Sequence, residues 1–176
     1  MTITFVRHTS VGVGPGVCYG HSDVPVAETF AAEAKAVVDA LGGRRFNAVH
    51  TSPSTRCVRL AEACGHPDAM RDPRLMEMDF GRWEMQRWDD IRDPRLQLWY
   101  DDWINTPATG GESFLDHRRR VHSFMADVAA SGARSVLVFA HGGTIMHARL
   151  WNCPERVEDI FSLRPPYGGI AEIELN

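Results

Sequence analysis

The chain lacks a surplus of positive charge: 19 Lys and Arg stand against 23 Asp and Glu, a formal net charge of -4. That leaves no electrostatic footprint for nucleic acid or for an anionic membrane surface. A local cationic pocket stays compatible with it, because net charge says nothing about clefts. No apolar run is long enough to cross a bilayer. The four cysteines, Cys18, Cys57, Cys64 and Cys153, form no C-x-x-C pair, and no H-E-x-x-H or clustered Cys/His spacing occurs. A redox or metal protein built on these thiols therefore has no ligand pattern to stand on. No cationic leader opens the chain, so reduced thiols in a cytoplasmic protein are the expectation. No repeat, low-complexity tract or linker divides it, and 176 residues suit one domain with a sizeable core, spanning 1–176.

What the chain does have is a set of short strands interleaved with helices. Residues 2–6 read as a β-branched and aromatic strand, 46–50 as a second, and 135–140, SVLVFA, as the clearest buried one. Residues 11–20 are rich in Gly and Pro and read as a loop. Helical spacing of Phe30, Ala34, Val37, Val38 and Leu41 marks a helix over 29–41, stopped by Gly42 and Gly43. Further helices are expected over 53–64, over 84–91 and 94–104 in a Trp- and Asp-rich region, from Phe114 to Gly132, and over 141–151. Residues 169–175 alternate as a last strand whose direction is open. Residues 69–80 carry no clear period. The alternation argues for a three-layer α/β/α sandwich with a largely parallel central sheet.

In open α/β sheets, ligands bind beyond the carboxyl ends of the strands. Three strand ends carry residues a core would not choose. The first ends in Arg7-His8-Thr9. The second ends in Thr51-Ser52-Pro53, with Arg56 in the first turn of the next helix. SVLVFA ends in His141-Gly142-Gly143. If these strands are parallel neighbours, two guanidiniums and two imidazoles converge on one rim. Guanidinium forks match phosphate oxygens, and helix N-termini add N–H groups. A histidine can supply a nucleophile. Such a cluster suits a phosphoryl group, whose transfer depends mostly on positioning and charge stabilisation. Taken singly, each Arg reads as a solvated surface charge and each His as a satisfied core or surface residue.

The stretches VRHTS (6–10), TSPSTRCVRLAE (51–62), LMEMDFGRWE (75–84), TGGES (109–113) and FAHGG (139–143) resemble, in order, the motifs of the histidine phosphatase superfamily, also called phosphoglycerate-mutase-like. Within it, GVCYGHSDVP (16–25), the Thr after Arg-His, and TGGESF (109–114) are most similar to the alpha-ribazole phosphatases. The resemblance runs from the first strand to the tail PPYGGIAEIEL. It implies that His8 is a nucleophile forming a phosphohistidine, and that Arg7, Arg56 and His141 hold the phosphate, with Gly142 at the same corner. It also implies that Glu77 protonates the leaving alkoxide and then activates water. The chemistry asks for such roles: an alkoxide leaves poorly until protonated, and a positioned acid contributes about 10²–10⁴-fold. His8 must be neutral to attack, and cationic neighbours disfavour its protonated form. The clamp offsets phosphoryl charge, so no metal and no cofactor is expected.

Glu84 challenges Glu77 for the acid. Its alternative role is a carboxylate at a helix N-terminus. The family places Gly after Trp-Glu where this chain has Met85, which leaves the local backbone course open. His21 lies in a loop that, in relatives, borders the phosphate entrance; it reads as a substrate contact or as a surface histidine. Asp23 and Pro25 are expected to fix that loop. Ser113 reads as a helix cap, and the resemblance brings its segment to the pocket border. His50, His66, His117 and His122 are expected at the surface and His147 in a structural role. Trp83, Trp88, Trp99, Tyr100 and Trp103 form either a lid over an aromatic substrate or, more often for such groups, core between short helices.

The expected activity is a metal-independent phosphomonoesterase acting on a small phosphomonoester, with alpha-ribazole 5′-phosphate as the substrate the resemblance implies. A broad sugar-phosphate or nucleotide phosphatase is the alternative, and a non-catalytic phospho-ligand binder the alternative of another class. A phosphoglycerate mutase fits less well, because the chain is short beside that branch.

Overall fold

The computed structural model describes residues 1–152 and 157–175. Five strands form one sheet: β1 (Thr2–Arg7), β2 (Ala48–Thr51), β3 (Met70–Arg71), β4 (Ser135–Ala140) and β5 (Ile170–Glu174), in the order β3-β2-β4-β1-β5. All neighbours run parallel except β5, which pairs antiparallel with β1. The open direction of the last strand is thereby settled, and β3 appears in a stretch the sequence left without a period. The register sets Arg7 beside Ala140 and Thr51 beside Phe139. β1 and β2 therefore flank β4 and end level with it, which puts their C-terminal residues on one rim.

Helices cover both faces. Alternate side chains Val6, Leu137 and Phe139 meet α1 (Phe30–Leu41) through Ala34, Val37 and Leu41, and α2 (Thr55–Ala63) through Cys57, Leu60 and Ala61. The other parity, Ile3, Phe5, Val136 and Val138, meets α4 (Phe114–Ala130) through Val121, Phe124 and Met125, and α5 (Gly142–Arg149) through Ile145 and Ala148. The short α3 (Arg95–Asp101) lies in the Trp-rich region. This is the three-layer sandwich the alternation predicts. Ser113 caps α4 as expected: its hydroxyl accepts from Asp116 N–H at 3.1 Å while Asp116 accepts from Ser113 N–H at 3.0 Å. Asp23 accepts from Thr55 N–H at 3.0 Å, so the loop after β1 is tied to the start of α2.

The helix expected over 84–91 does not form. Two single 3-10 turns, Gly81–Trp83 and Trp88–Asp90, stand there instead. The cause is where the backbone groups go. Met85 N–H donates to Cys18 O at 2.8 Å, Cys18 N–H to Gln86 O at 2.8 Å, and Trp88 N–H to Gly16 O at 2.9 Å. A distant loop takes the hydrogen bonds that a helix would have needed. The helix expected over 94–104 shortens to α3 because Asp102 leaves helical geometry at φ -145°.

The turn joining the two 3-10 segments puts Met85 at φ 64°, the one residue other than glycine with positive φ among the described residues. That conformation costs an L-residue about 1–2 kcal/mol. The side chain is 53% exposed and has little packing to lose. Met85→Gly is expected to raise the melting temperature by about 2–4 °C, net of glycine's extra freedom when unfolded. A scanning-calorimetry trace with a lowered midpoint would show that the methionine side chain outweighs its backbone strain.

Candidate active site

His8 stands one residue past the end of β1. Its backbone is fixed by N–H donation to Ala140 O at 3.0 Å and by Gly168 N–H donating to its carbonyl at 3.1 Å. The ring Nδ1 lies 2.7 Å from Thr9 O. A carbonyl can only accept, so Nδ1 carries the hydrogen and Nε2 keeps its unshared pair. Burial, aided by the Arg56 and Arg7 charges, pushes the imidazole down to about 3 despite the Thr9 bond, so the ring is neutral near pH 7.

Arg56 is fully buried in the first turn of α2. Its Nη1 donates to Ser22 O at 3.0 Å and its Nη2 to Gly20 O at 2.7 Å. Arg7 donates through Nη1 to Pro165 O at 2.8 Å and lies 4.0 Å from the Tyr167 ring. His141, also buried and held neutral by burial and then by Arg56, lies with its ring 5.1 Å from that of His8. Its Nε2 is 2.8 Å from Ser52 Oγ. The remaining polar atoms, Arg7 Nε, Arg56 Nε and His141 Nδ1, are buried without a partner. Buried polar atoms are almost always satisfied, so three such atoms around His8 describe an anion site. Gly142 contributes by being small. A Cβ there would sit 2.9 Å from Arg164 Cδ and 3.2 Å from Arg7 Nε.

Glu77 faces His8 across the cleft that both line. Its Oε2 accepts from Gly143 N–H at 2.9 Å and its Oε1 from Met78 N–H at 3.0 Å. A Cβ on Gly143 would fall 2.2 Å from Oε1, so only glycine fits beneath this carboxyl group. Arg120 on α4 holds the loop from below. It donates to Arg74 O at 2.9 Å, Met76 O at 2.6 Å and Glu77 O at 2.7 Å while pairing with Glu112. Glu112 in turn accepts from Asp79 N–H at 3.0 Å.

The challenger, Glu84, is used elsewhere. It accepts from the backbone N–H groups of His21 at 2.8 Å, Ser22 at 2.5 Å and Phe80 at 3.1 Å. Burial pushes its carboxyl up, but these bonds outweigh burial and hold it below the usual range. Glu84 is a carboxylate clamp on the loop that grips Arg56, and it opens no helix. His21 supplies that clamp with its N–H. Its ring is turned to Asp79, 3.7 Å away, and is not part of the cleft wall.

A cleft of about 700 Å³ opens in front of His8. Trp88, Trp99, Trp103, Phe80, Phe114 and Tyr19 line it. Trp88 and Trp99 stack at 5.7 Å and 21°. Tyr19 and Tyr167 join hydroxyls at 2.9 Å beside the two catalytic-type histidines. The Trp-rich group thus divides: Trp83 is core at 1% exposure, Tyr100 is exposed, and Trp88, Trp99 and Trp103 face the cleft.

A family model for the histidine phosphatase superfamily (branch 1) matches residues 3–176. This chain belongs to that superfamily. It is 31% identical over 166 residues to an adenosylcobalamin/alpha-ribazole phosphatase of Salmonella typhimurium, covering 88% of this chain and 81% of the relative. A protein of the same name from Escherichia coli is 27% identical, over 100% of this chain and 91% of its own. The crystal structure of the alpha-ribazole phosphatase from Shigella flexneri superposes with a TM-score of 0.89 at 26% identity, covering 100% of this chain and 91% of that one. The fold is that of the phosphoglycerate-mutase-like enzymes, and the chain is a phosphatase.

Several residues of this histidine phosphatase were not legible from spacing. His117, expected at the surface, is 1% exposed and lines the cleft 3.9 Å from Glu77. His147, expected to be structural, is buried against it at 4.5 Å and reaches the same cleft. His50, His66 and His122 are half-buried against aromatic rings rather than free in solvent. Arg120 was missed altogether. Its one signal was a helical spacing of eight from Glu112, which puts the pair within reach across two turns.

Two outcomes are expected. Gly143→Ala should displace the Glu77 carboxyl and lower kcat on alkyl phosphates by about 10²-fold or more with the fold retained; circular dichroism and steady-state rates check it. The second concerns acid. His8 and His147 are depressed to about 3, and His117 and His141 well below their ordinary value, in each case chiefly by burial. Unfolded, they bind protons below about pH 6.5. The folded chain cannot, so this stability is present above pH 6.5 and is lost as pH falls toward 3. Thermal midpoints should drop steadily across that window. A flat profile would mean these rings are not neutral when folded.

Proposed function

We propose that the chain removes the 5′-phosphate of alpha-ribazole 5′-phosphate through a phosphohistidine on His8. The observation that carries the reading is the triplet of unpartnered buried atoms, Arg7 Nε, Arg56 Nε and His141 Nδ1, around a neutral imidazole whose bare Nε2 is the nucleophile. Nε2 attacks phosphorus and the P–O bond to the ribose breaks. Glu77 gives its proton to the departing alkoxide. The three atoms above take up charge on the phosphoryl oxygens; with Ser52 donating to Nε2 of His141, Nδ1 carries a hydrogen to donate. Water then attacks the phosphohistidine, Glu77 accepts its proton, and inorganic phosphate leaves with Nε2 restored. Glu77 is preferred as the acid because it faces the cleft, whereas Glu84 is bound to three backbone N–H groups.

The substrate rests on the names of the relatives and on the aromatic walls. A planar benzimidazole suits a cleft lined by Trp88, Trp99 and Trp103, and the ribose phosphate reaches inward to His8. A non-catalytic binder would need the anion site but no carboxyl held by Gly143. The free thiols of Cys18, Cys57 and Cys64 support the cytoplasm as the compartment.

The test is a comparison of kcat/KM across alpha-ribazole 5′-phosphate, ribose 5-phosphate, nucleotides and 3-phosphoglycerate, with chelator present throughout. Alpha-ribazole 5′-phosphate is expected to lead ribose 5-phosphate by about 10-fold or more, because base stacking contributes ~1–3 kcal/mol. His8→Ala is expected to be inactive. Equal rates on both sugars would favour the broad phosphatase, and turnover by the His8 variant would remove the phosphohistidine.

A further inference from the structure

We propose that His117 is a positioning residue for the acid: Thr144 locks its imidazole so that an unshared pair faces Glu77 and keeps the proton on that carboxyl between turnovers. The inference rests on the reading of Glu77 as the acid and base of the reaction.

The tautomer follows from the partners. His117 Nε2 lies 3.4 Å from Thr144 Oγ1, and that hydroxyl lies 3.1 Å from Met76 O and 3.2 Å from Leu75 O. Carbonyl oxygens only accept, so the single hydroxyl hydrogen of Thr144 goes to them. Its oxygen is then left to accept from Nε2–H. A neutral imidazole has one N–H, so Nδ1 is bare, and Nδ1 is the atom 3.9 Å from Glu77 Oε1. An unshared pair opposed to a carboxylate oxygen is repelled. Opposed to a carboxylic O–H it becomes an acceptor, after an approach of about 1 Å to hydrogen-bond distance.

The ring cannot escape by taking up a proton itself. It is buried, and His147 on α5, Arg120 on α4, His141 at the tip of β4 and His21 in the loop after β1 all oppose a charge there. On its other sides Glu77 faces Arg7 at the tip of β1 and, more remotely, the Cys57 thiol on α2. The small residue at position 143 brings the parts together, since a Cβ there would also sit 3.1 Å from His117 Cε1. The arrangement serves the reaction because the leaving alkoxide must find a proton in place at the start of every turnover.

The experiment compares wild type, His117→Leu and His117→Asn on alpha-ribazole 5′-phosphate and on p-nitrophenyl phosphate across about pH 5 to 9. Leu removes the acceptor; Asn restores one near the place of Nδ1. The expected result is that His117→Leu loses about tenfold or more of the alkyl-ester rate at the alkaline end, relative to wild type. Its p-nitrophenyl phosphate profile should stay in place, and Asn should recover most of the loss. Should the Leu variant not fold, Thr144→Val, which frees the ring, should shift the alkyl-ester profile the same way. Superimposable profiles, or equal losses on both esters at every pH, overturn the proposal and leave His117 a packing residue. A wild type whose rate ignores leaving-group basicity instead overturns the reading of Glu77, and this inference with it.

Discussion

A guanidinium buried completely without a carboxylate partner is the constraint on which the site depends. No ion pair among the described residues involves Arg56 or Arg7. Two carbonyls take the Arg56 Nη groups, and carbonyls solvate a cation without neutralising it. An uncompensated charge removed from water costs several kcal/mol. The fold accepts that cost, and the consequence spreads. The positive potential helps keep His8 and His141 neutral, and the same potential favours a dianion arriving between them.

The surrounding loops exist to hold that charge where the strands end. Residues 20–22 present carbonyls to Arg56, and Glu84 grips the N–H groups of His21 and Ser22 so that the loop cannot turn its carbonyls away. Asp23 then ties the loop to the first turn of α2, the turn that carries Arg56. Gly20 allows the close passage, because a Cβ there would sit 1.7 Å from Met78 O. A second bracket, Arg120 with Glu112, does the same for the Glu77 loop on the opposite wall. Each bracket pairs a charged side chain with backbone groups of a loop. The chemistry is thus placed by loops whose freedom has been removed, on a sheet that fixes their starting points.

What the sequence disclosed follows the range of the interactions involved. β1, β4 and the helices over them are read from local period, and Arg7-His8 and His141 stand out because polar pairs rarely end buried strands. The alternation also suffices for the sandwich, whereas antiparallel β5 depends on a long connection that period does not describe. Residues 80–104 resisted because their backbone bonds go to residues 16–18 and to Thr109, so local propensity was overruled by distant partners. His117 was hidden for a related reason. Its polar partners, Thr144 and Glu77, come from two other segments, and a helical histidine in a run of arginines reads as solvated face until those segments are placed. The tryptophans divided because burial of Trp83 and exposure of Trp88 and Trp99 to a cleft differ in tertiary surroundings, not in spacing.

The proposed chemistry sets a harder problem than phosphate binding. It needs an imidazole without its proton and a carboxyl group with one, within one cleft, at neutral pH. In water the preference is the reverse, because imidazole holds a proton more tightly than a carboxylate does. The neutral pair persists only if each group is opposed in its charged form by what surrounds it. For His8 the opposition is burial beside two guanidiniums. For Glu77 it has to come from another direction, since Arg7 would favour the carboxylate. The bare nitrogen of His117 lies on that other side, in a wall too buried to become cationic. The two halves of the cleft therefore do different electrostatic work, and the width between them keeps the histidine from taking the acid's proton before a substrate does.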